Sequence, residues 1–119
     1  MEVRARDDAE PFTTLDGSTI RSLLDRTNAP VAHQSLAEAT LPPGAGTARH
    51  HHKEMEEIYF VLDGRGTMEL DGARREVGPG DAILIPPGAR HQITASDAGE
   101  LRFLCACAPP YRHEDTYLD

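Results

Sequence analysis

The sequence predicts an all-β protein with a single domain, built as an antiparallel sandwich or a small barrel. Three observations support this expectation. Short stretches rich in β-forming residues recur along the chain, turn sequences separate them at intervals of about 8–12 residues, and no long amphipathic helix is present. A chain of 119 residues has the usual size of one domain and can bury a core without disulfides.

The beginning of the chain is the least regular part, and residues 1–30 are interpreted as an N-terminal arm. The first residues are polar, and one short edge strand is expected near Phe12. Residues 18–24 fit either a helical turn or a short strand. A β-barrel is then expected over residues 31–110, followed by a polar C-terminal tail, residues 111–119.

Within the predicted barrel, turn sequences delimit the strands. Asp63 and Asp71 are each followed by glycine, which is a hairpin signal. The apolar run 82–85 is stopped by Pro86-Pro87-Gly88, because proline cannot donate to a sheet and glycine favours a turn. The strands predicted here are 35–41, 47–52, 57–62, 66–70, 73–77, 82–85, 91–95 and 101–107.

Composition excludes several classes of partner. The net charge is −8 and Arg74-Arg75 is the only adjacent basic pair, whereas nucleic acids and anionic membranes require clustered Lys and Arg. No apolar run approaches the roughly 18 residues of a membrane span, and the N-terminus lacks the apolar core of a signal peptide. We therefore expect a cytoplasmic protein whose partner is a small molecule.

Two cysteines, Cys105 and Cys107, lie two positions apart in the last predicted strand. Their side chains share a face, but their Cα atoms are about 7 Å apart, at or past the usual limit for a disulfide. We expect two reduced, buried thiols. A Cys-x-Cys metal or redox role is the alternative.

The candidate site is a set of histidines and one glutamate on predicted strands. His50 and His52 point to one face of a strand and His51 to the other. Glu57 lies near the start of the next strand, and His91 begins a distant one. Three imidazoles and one carboxylate suit a divalent transition metal. His51 is expected to be exposed, or to lie outside the site and hydrogen-bond to one of the metal ligands.

The spacing of these residues resembles the two motifs of the cupin superfamily. The first runs from Gly44 through His50, His52 and Glu57 to Gly64, and the second from Gly80 through Pro86 and Gly88 to His91. The second motif often ends with asparagine, where this chain has Ala95. The resemblance covers about residues 35–107, and the flanking segments resemble those of small stand-alone bacterial cupins.

The cupin resemblance implies a jelly-roll β-barrel with one metal at its mouth, commonly assembled as a homodimer. His50, His52, Glu57 and His91 would be the ligands of one divalent ion per chain. The absence of thiolate disfavours Cu(I) and structural zinc, and Fe(II), Mn(II), Ni(II), Co(II) and Zn(II) remain.

Such a site keeps one or two coordination positions open, which favours catalysis or ligand capture. A dioxygenase acting on an enol, diketone or oxo acid is the first hypothesis for function. An isomerase, cyclase or lyase that uses the metal as a Lewis acid is the second, and a non-catalytic binding module is the third. Glu57 or Tyr59 could serve as the general base. Arg49 or Arg90 could pair with an anionic substrate, or form a surface ion pair instead.

Overall fold

The computed structural model describes residues 1–119 and contains strands and two short 3-10 turns but no α-helix. All strand pairs are antiparallel. The strands are β1 Phe12–Thr13, β2 Thr19–Leu24, β3 Ser35–Leu41, β4 His50–His51, β5 Glu56–Asp63, β6 Gly66–Leu70, β7 Ala73–Val77, β8 Ala82–Ile85, β9 His91–Ala95, β10 Leu101–Ala108 and β11 Tyr117–Leu118. The predicted all-β jelly-roll barrel is confirmed.

Two sheets face each other. The first has six strands in the order β1-β2-β3-β10-β5-β8, and the second has five in the order β11-β4-β9-β6-β7. The chain passes repeatedly between the sheets, so strands that are distant in sequence become neighbours. In particular, β4 lies beside β9 through the pair His50 and His91, and this pairing brings the two predicted cupin motifs together.

The core fills the space between the sheets, as the alternating pattern of β5 shows. Glu57, Tyr59 and Val61 are buried, whereas Ile58 and Phe60 are exposed on the outer face, as the sequence predicts from the two-residue period of a strand. Buried side chains from both sheets form one cluster, and its members are Ala39, Leu41, Tyr59, Val61, Met68, Val77, Ile85, Ala89, Ile93, Ala95, Leu101, Phe103 and Cys105.

One hairpin turn shows why glycine follows aspartate. Gly64, between β5 and β6, has a φ of 81°, which a residue with a side chain rarely adopts. A Cβ atom there would lie 2.1 Å from the carbonyl oxygen of Glu100. The turn therefore requires glycine both for its backbone conformation and for the close approach of the chain before β10.

The structure decides between two alternatives in one region and shortens a predicted strand in another. Residues 18–24, which fitted a turn of helix or a strand, contain the strand β2 paired with β3. The strand predicted over 47–52 is reduced to His50–His51. The N–H of Thr47 donates to the carbonyl of Ile93, but the N–H of Ile93 donates to the Thr47 hydroxyl and not to its carbonyl, so the regular ladder is interrupted before His50.

The C-terminal residues return to the barrel. Tyr117 pairs with His51 and Leu118 with His50 through β11. Ahead of β11, the 3-10 turn His113–Asp115 contains the buried side chain of Asp115. Residues 115–119 thus contact the segment 49–55, which contains His50 and His52. None of the helical segments is long and apolar enough to cross a membrane.

Candidate metal centre

The three predicted histidines converge inside the barrel. His50 and His52 lie in and just after β4, and His91 begins β9 on the neighbouring strand. All three side chains are buried, and one ring nitrogen of each lies within 4.8 Å of the others. Three imidazoles at this distance could hold one metal ion.

Backbone carbonyls orient all three rings. The Nδ1 atom of His50 lies 2.7 Å from the carbonyl oxygen of Ala48, and that of His91 lies 3.0 Å from the carbonyl of Ala89. The Nδ1 atom of His52 lies 3.0 Å from the carbonyl of Asp115. A carbonyl only accepts, so each neutral ring donates from Nδ1 and keeps a lone pair on Nε2. Metal-binding histidines are typically held in this way.

Glu57 completes the predicted set and is buried at the start of β5. Its Oε1 atom lies 3.3 Å from Nε2 of His52 and 3.6 Å from Nε2 of His91. Oε1 of Glu57 and Nε2 of His91 are buried without a hydrogen-bond partner. Burial alone would raise the pKa of Glu57, but the facing histidines outweigh it and lower the pKa to about 2. The carboxylate is therefore an anion.

The surroundings shift the pKa values of His50 and His52 in opposite directions. Burial lowers the pKa of His50, and the neighbouring His91 lowers it further. Burial also lowers the pKa of His52, but the facing carboxylate of Glu57 outweighs burial and raises it. Because the Glu57 carboxylate faces Nε2 of His52, a positive charge between them is favourable. A proton or a metal cation could supply it.

The donor set fits a divalent metal. Atoms bound to one ion with bonds of about 2.1 Å are about 3.0 Å apart as octahedral neighbours and about 3.4 Å apart in a tetrahedron. The two contacts of Glu57 Oε1, at 3.3 and 3.6 Å, are close to these values. Oε1 of Glu57 and Nε2 of His91 have no hydrogen-bond partner, and a cation between them would interact with both atoms.

His50, His52 and Glu57 line a cavity against the face of the first sheet formed by β2, β3, β10 and β5. Its volume is about 50 Å³, counted as the space open to the centres of water molecules. This is room for a few water molecules or for one small polar group of a ligand. Its wall includes hydroxyls, aromatic rings, both thiols and several small apolar residues, but neither Lys nor Arg. Tyr59 lies in the wall, with its ring 6.1 Å from that of His91.

The environment of Tyr59 defines what its hydroxyl can do. Burial raises its pKa well above the usual value, and the negative charge of Glu57 raises it further. The side chain is therefore a neutral phenol, which donates a hydrogen bond and is not a base at neutral pH. Glu57, with its low pKa, is also a weak proton acceptor.

Other residues considered from the sequence lie outside the cavity. The guanidinium of Arg49 pairs with Glu69 at 2.9 Å, and that of Arg90 pairs with Asp119 at 3.2 Å. Both form surface ion pairs, so neither is placed to bind an anionic substrate here. His51 faces away from the triad, stacks on Tyr117 and contacts Asp119.

Three contacts of the site escaped the sequence analysis. The carboxylate of Asp16, in the N-terminal arm, lies 3.4 Å from Nε2 of His50. The carboxylate of Asp115 accepts the backbone N–H groups of residues 53–55, next to His52. Burial would raise the pKa of Asp115, but these hydrogen bonds outweigh it and lower the pKa.

The third missed contact involves a cysteine. Cys105 and Cys107 are both free and buried, as predicted. The thiol of Cys107 also donates to Oε2 of Glu57 at 3.4 Å, and burial together with this carboxylate raises its pKa. The pairing of β10 with β5, which places Cys107 opposite Glu57, was not evident from the sequence.

The fold and the histidine cluster are those of a cupin. A family profile described as a Cupin domain matches residues 37–107, which is more than half of the chain and includes all four predicted ligands. The protein therefore belongs to the cupin family, as the two motifs predict.

Several relatives extend the comparison to nearly the whole chain. An uncharacterized protein of Methanocaldococcus jannaschii is 47% identical over 112 residues, which cover 94% of this chain and 90% of that protein. The structure of the polyketide cyclase RemF from Streptomyces resistomycificus is 29% identical, with a TM-score of 0.77, and the match covers 97% of this chain and 89% of that one. The structure of Pac13, a nucleoside dehydratase, is 17% identical with a TM-score of 0.81. The match covers 100% of this chain and 91% of the Pac13 chain, so the two proteins share the fold.

Proposed function

We propose that this cupin is a metal-dependent enzyme acting on a small, neutral molecule with an enolisable carbonyl, in a cyclisation, isomerisation or elimination. One observation supports this most directly. The ring nitrogens of His50, His52 and His91 lie within 4.8 Å of one another, the Glu57 carboxylate contacts His52 and His91, and the cavity beside them has no basic side chain in its wall. A site of this kind suits a carbonyl oxygen better than a strongly anionic substrate.

The four residues would hold one divalent ion, of the Fe, Mn, Ni, Co or Zn type. Three neutral imidazoles and one carboxylate would leave a +2 ion with a net charge of +1. When bound, the ion would supply Lewis-acid stabilisation for negative charge that develops on a substrate oxygen. The buried carbonyl contacts of the three Nδ1 atoms keep the rings aimed at this point before substrate arrives.

The protein itself would bind and orient the substrate and donate a hydrogen bond to its oxygen, while the α-proton would pass to hydroxide or water from the solvent and be replaced by a proton from the solvent. The phenol of Tyr59 holds its proton, because burial and Glu57 raise its pKa, and it can donate a hydrogen bond to a substrate oxygen in the cavity. The apolar wall contributed by Ile20, Phe103 and their neighbours would exclude water from the reacting group. Glu57 acts as an anionic ligand in this proposal.

The relatives support this choice over oxidation. RemF, described as a polyketide cyclase, matches almost the whole chain. The match to the acireductone dioxygenase of Bacillus thuringiensis covers 40% of this chain and 31% of that protein. The dioxygenase hypothesis from the sequence therefore becomes the competing outcome of the test.

The test measures proton exchange under argon. Protein loaded with Zn(II), Mn(II) or Fe(II) is mixed in D₂O with an aryl methyl ketone, and loss of the α-proton signal is followed by NMR. We expect the loaded protein to accelerate the exchange and His91→Ala to abolish the acceleration. Tyr59→Phe should retain the metal but exchange about 100-fold more slowly, the lower end of the range for losing a general acid.

A parallel oxygen-electrode assay with a 1,3-diketone separates the alternatives. Oxygen uptake coupled to loss of the diketone, without proton exchange under argon, would replace the proposal with a dioxygenase. Saturable binding of the ketone with neither exchange nor oxygen uptake would replace it with a binding module.

We also propose that the protein forms a homodimer through the outer face of β5 and β8. Ile58, Phe60 and Leu84 are exposed there by 42%, 40% and 54%, and Ile58 is paired with Leu84 across the two strands. Adjacent large apolar side chains favour a protein contact. Light scattering should give twice the 13.0 kDa chain mass, and Phe60→Glu should reduce it to the monomer. Leu15→Glu, at an exposed apolar residue elsewhere, should leave the dimer intact.

A further inference from the structure

Asp16 lies against the histidine triad although it is far from both cupin motifs. It belongs to the turn between β1 and β2 and precedes the region 37–107 that matches the Cupin domain. Its Oδ2 atom lies 3.4 Å from Nε2 of His50, and Asp16 lines the same cavity as His50 and His52. The N-terminal arm thus brings a second carboxylate to the proposed metal site.

One oxygen of Asp16 is fully engaged in holding the turn. Oδ1 accepts the backbone N–H of Ser18 at 2.9 Å, the hydroxyl of Ser18 at 2.6 Å and the hydroxyl of Thr14 at 2.5 Å. These three donors fix the rotation of the carboxylate and leave Oδ2 directed at His50. An oxygen placed in this way is preorganised, because little side-chain freedom is left to lose when it binds.

The backbone of Asp16 is hydrogen-bonded to Ala48, the residue whose carbonyl orients the His50 ring. The N–H of Ala48 donates to the carbonyl of Asp16 at 2.6 Å, and the carbonyl of Ala48 accepts from Nδ1 of His50 at 2.7 Å. The position of Asp16 relative to His50 is therefore constrained by the hydrogen bonds that both residues make with the backbone of Ala48.

The contact between Asp16 and His50 brings two acceptors together. Because Nδ1 of His50 donates to Ala48, the neutral ring presents a lone pair at Nε2, and Oδ2 of Asp16 also presents lone pairs. Two acceptors at 3.4 Å are favourable only with a positive charge beside them. The contacts of Glu57 with His52 and His91, at 3.3 and 3.6 Å, have the same character and nearly the same lengths.

We propose that Oδ2 of Asp16 is a fifth ligand of the metal, beside the three histidines and Glu57. The inference rests on the metal site of the proposed function and adds a residue to it. Glu57 borders His52 and His91, whereas Asp16 borders His50, so the two carboxylates complete different parts of the coordination sphere. On a six-coordinate ion, one position remains for the substrate.

A second carboxylate changes the chemistry of the site. Three neutral imidazoles and two carboxylates compensate a +2 ion completely, so the site attracts anions less than a site with one carboxylate does. The extra oxygen favours ions that accept oxygen ligands, such as Mn(II) and Fe(II), over softer ones. A neutral carbonyl substrate that supplies one oxygen is consistent with both features and with the absence of Lys and Arg from the cavity wall.

The experiment measures metal binding and coordination without any substrate. Mn(II) affinity and the visible absorption of the Co(II) form are compared for the wild type, Asp16→Asn, Asp16→Ala and the control Asp8→Asn, which makes the same charge change at an exposed residue of the arm. We expect Asp16→Ala to bind Mn(II) about 10- to 100-fold more weakly. Its Co(II) absorption should strengthen, as it does when the coordination number falls. Asp8→Asn should match the wild type.

The outcomes separate this inference from the proposed function. If the wild type binds no metal, both fail. If it binds metal and both Asp16 variants keep the wild-type affinity and Co(II) spectrum, the fifth ligand is disproved and the four-ligand site stands. If Asp16→Ala does not fold, as judged by circular dichroism, Asp16→Asn decides alone. A changed Co(II) spectrum in this variant supports the inference, and an unchanged one overturns it.

Discussion

The segment that carries the cupin motifs and the two terminal segments contribute to the site in different ways. Residues 37–107 supply three imidazoles and Glu57, all of them buried. The arm and the tail supply groups that bear on those ligands, namely Asp16 beside His50 and the carbonyl of Asp115 at His52. The motif segment thus supplies the histidines and Glu57, while the terminal segments contribute a carboxylate beside His50 and the carbonyl that orients His52.

The largest expected effect comes from removing a donor of the motif segment. His91→Ala deletes an Nε2 atom that is buried without a hydrogen-bond partner, so metal binding should fall by more than about 100-fold, beyond the range for supporting residues. His51→Ala is the matched control, because His51 faces away and contacts Asp119. Elemental analysis after gel filtration measures both. Equal losses in the two variants would contradict the assignment of strand faces.

The next effect tests the tail. Asp115→Ala removes the acceptor for the N–H groups of Lys53, Glu54 and Met55. Leaving buried donors unpaired costs about 1–3 kcal/mol of unfolding free energy. The carbonyl that orients His52 would also shift, so metal affinity should fall about 10- to 100-fold. Thermal unfolding and metal titration measure the two effects separately.

Asp119→Ala is the control for this tail variant. Asp119 lies in the same segment but contacts His51 and Arg90, and neither residue is a proposed ligand. Its removal should leave metal affinity unchanged. A loss as large as that of Asp115→Ala would mean that the tail acts as a whole, through β11, and not through the contact with His52.

The sequence predicts the motif segment well because regular periodicity governs it. The two-residue period of β5 directs Glu57 inward, and glycine and proline define the turns before His91. Asp16 and Asp115 could not be predicted in the same way. They lie in segments with two-residue strands and single 3-10 turns, whose positions depend on tertiary contacts with residues 34 and 63 positions away, His50 and His52.

The pairing of β4 illustrates the limit within the motif segment. The sequence pattern predicts a full strand over 47–52, but it does not reveal that the Thr47 hydroxyl takes the N–H of Ile93. The alternation of His50, His51 and His52 is nevertheless preserved, because His50 and His52 are buried and His51 is only partly so. Side-chain direction is thus predicted more securely than the extent of backbone pairing.

Removal of the metal should have a moderate effect, because the core of the barrel does not include the site. Buried apolar side chains of both sheets form one cluster of 13 residues, most of which lie away from the ligands' cavity. Metal at about 100 times its Kd stabilises the fold by about 2.7 kcal/mol, so chelation should lower Tm by several degrees and leave one cooperative transition. His91→Ala should not respond to the chelator. An apo protein without a transition would show that the metal is required for folding.

The smallest expected effect concerns the thiol that supports Glu57. Cys107 donates to Oε2 at 3.4 Å, which is a weak hydrogen bond because a thiol is a weak donor. Cys107→Ala should lower metal affinity only a few-fold, whereas Cys107→Ser, which keeps a donor, should stay near the wild type. Titration with Mn(II) measures both. A loss from Cys107→Ala as large as that from Asp115→Ala would place the main control of ligand orientation inside the motif segment, and the contrast with the terminal segments would no longer hold.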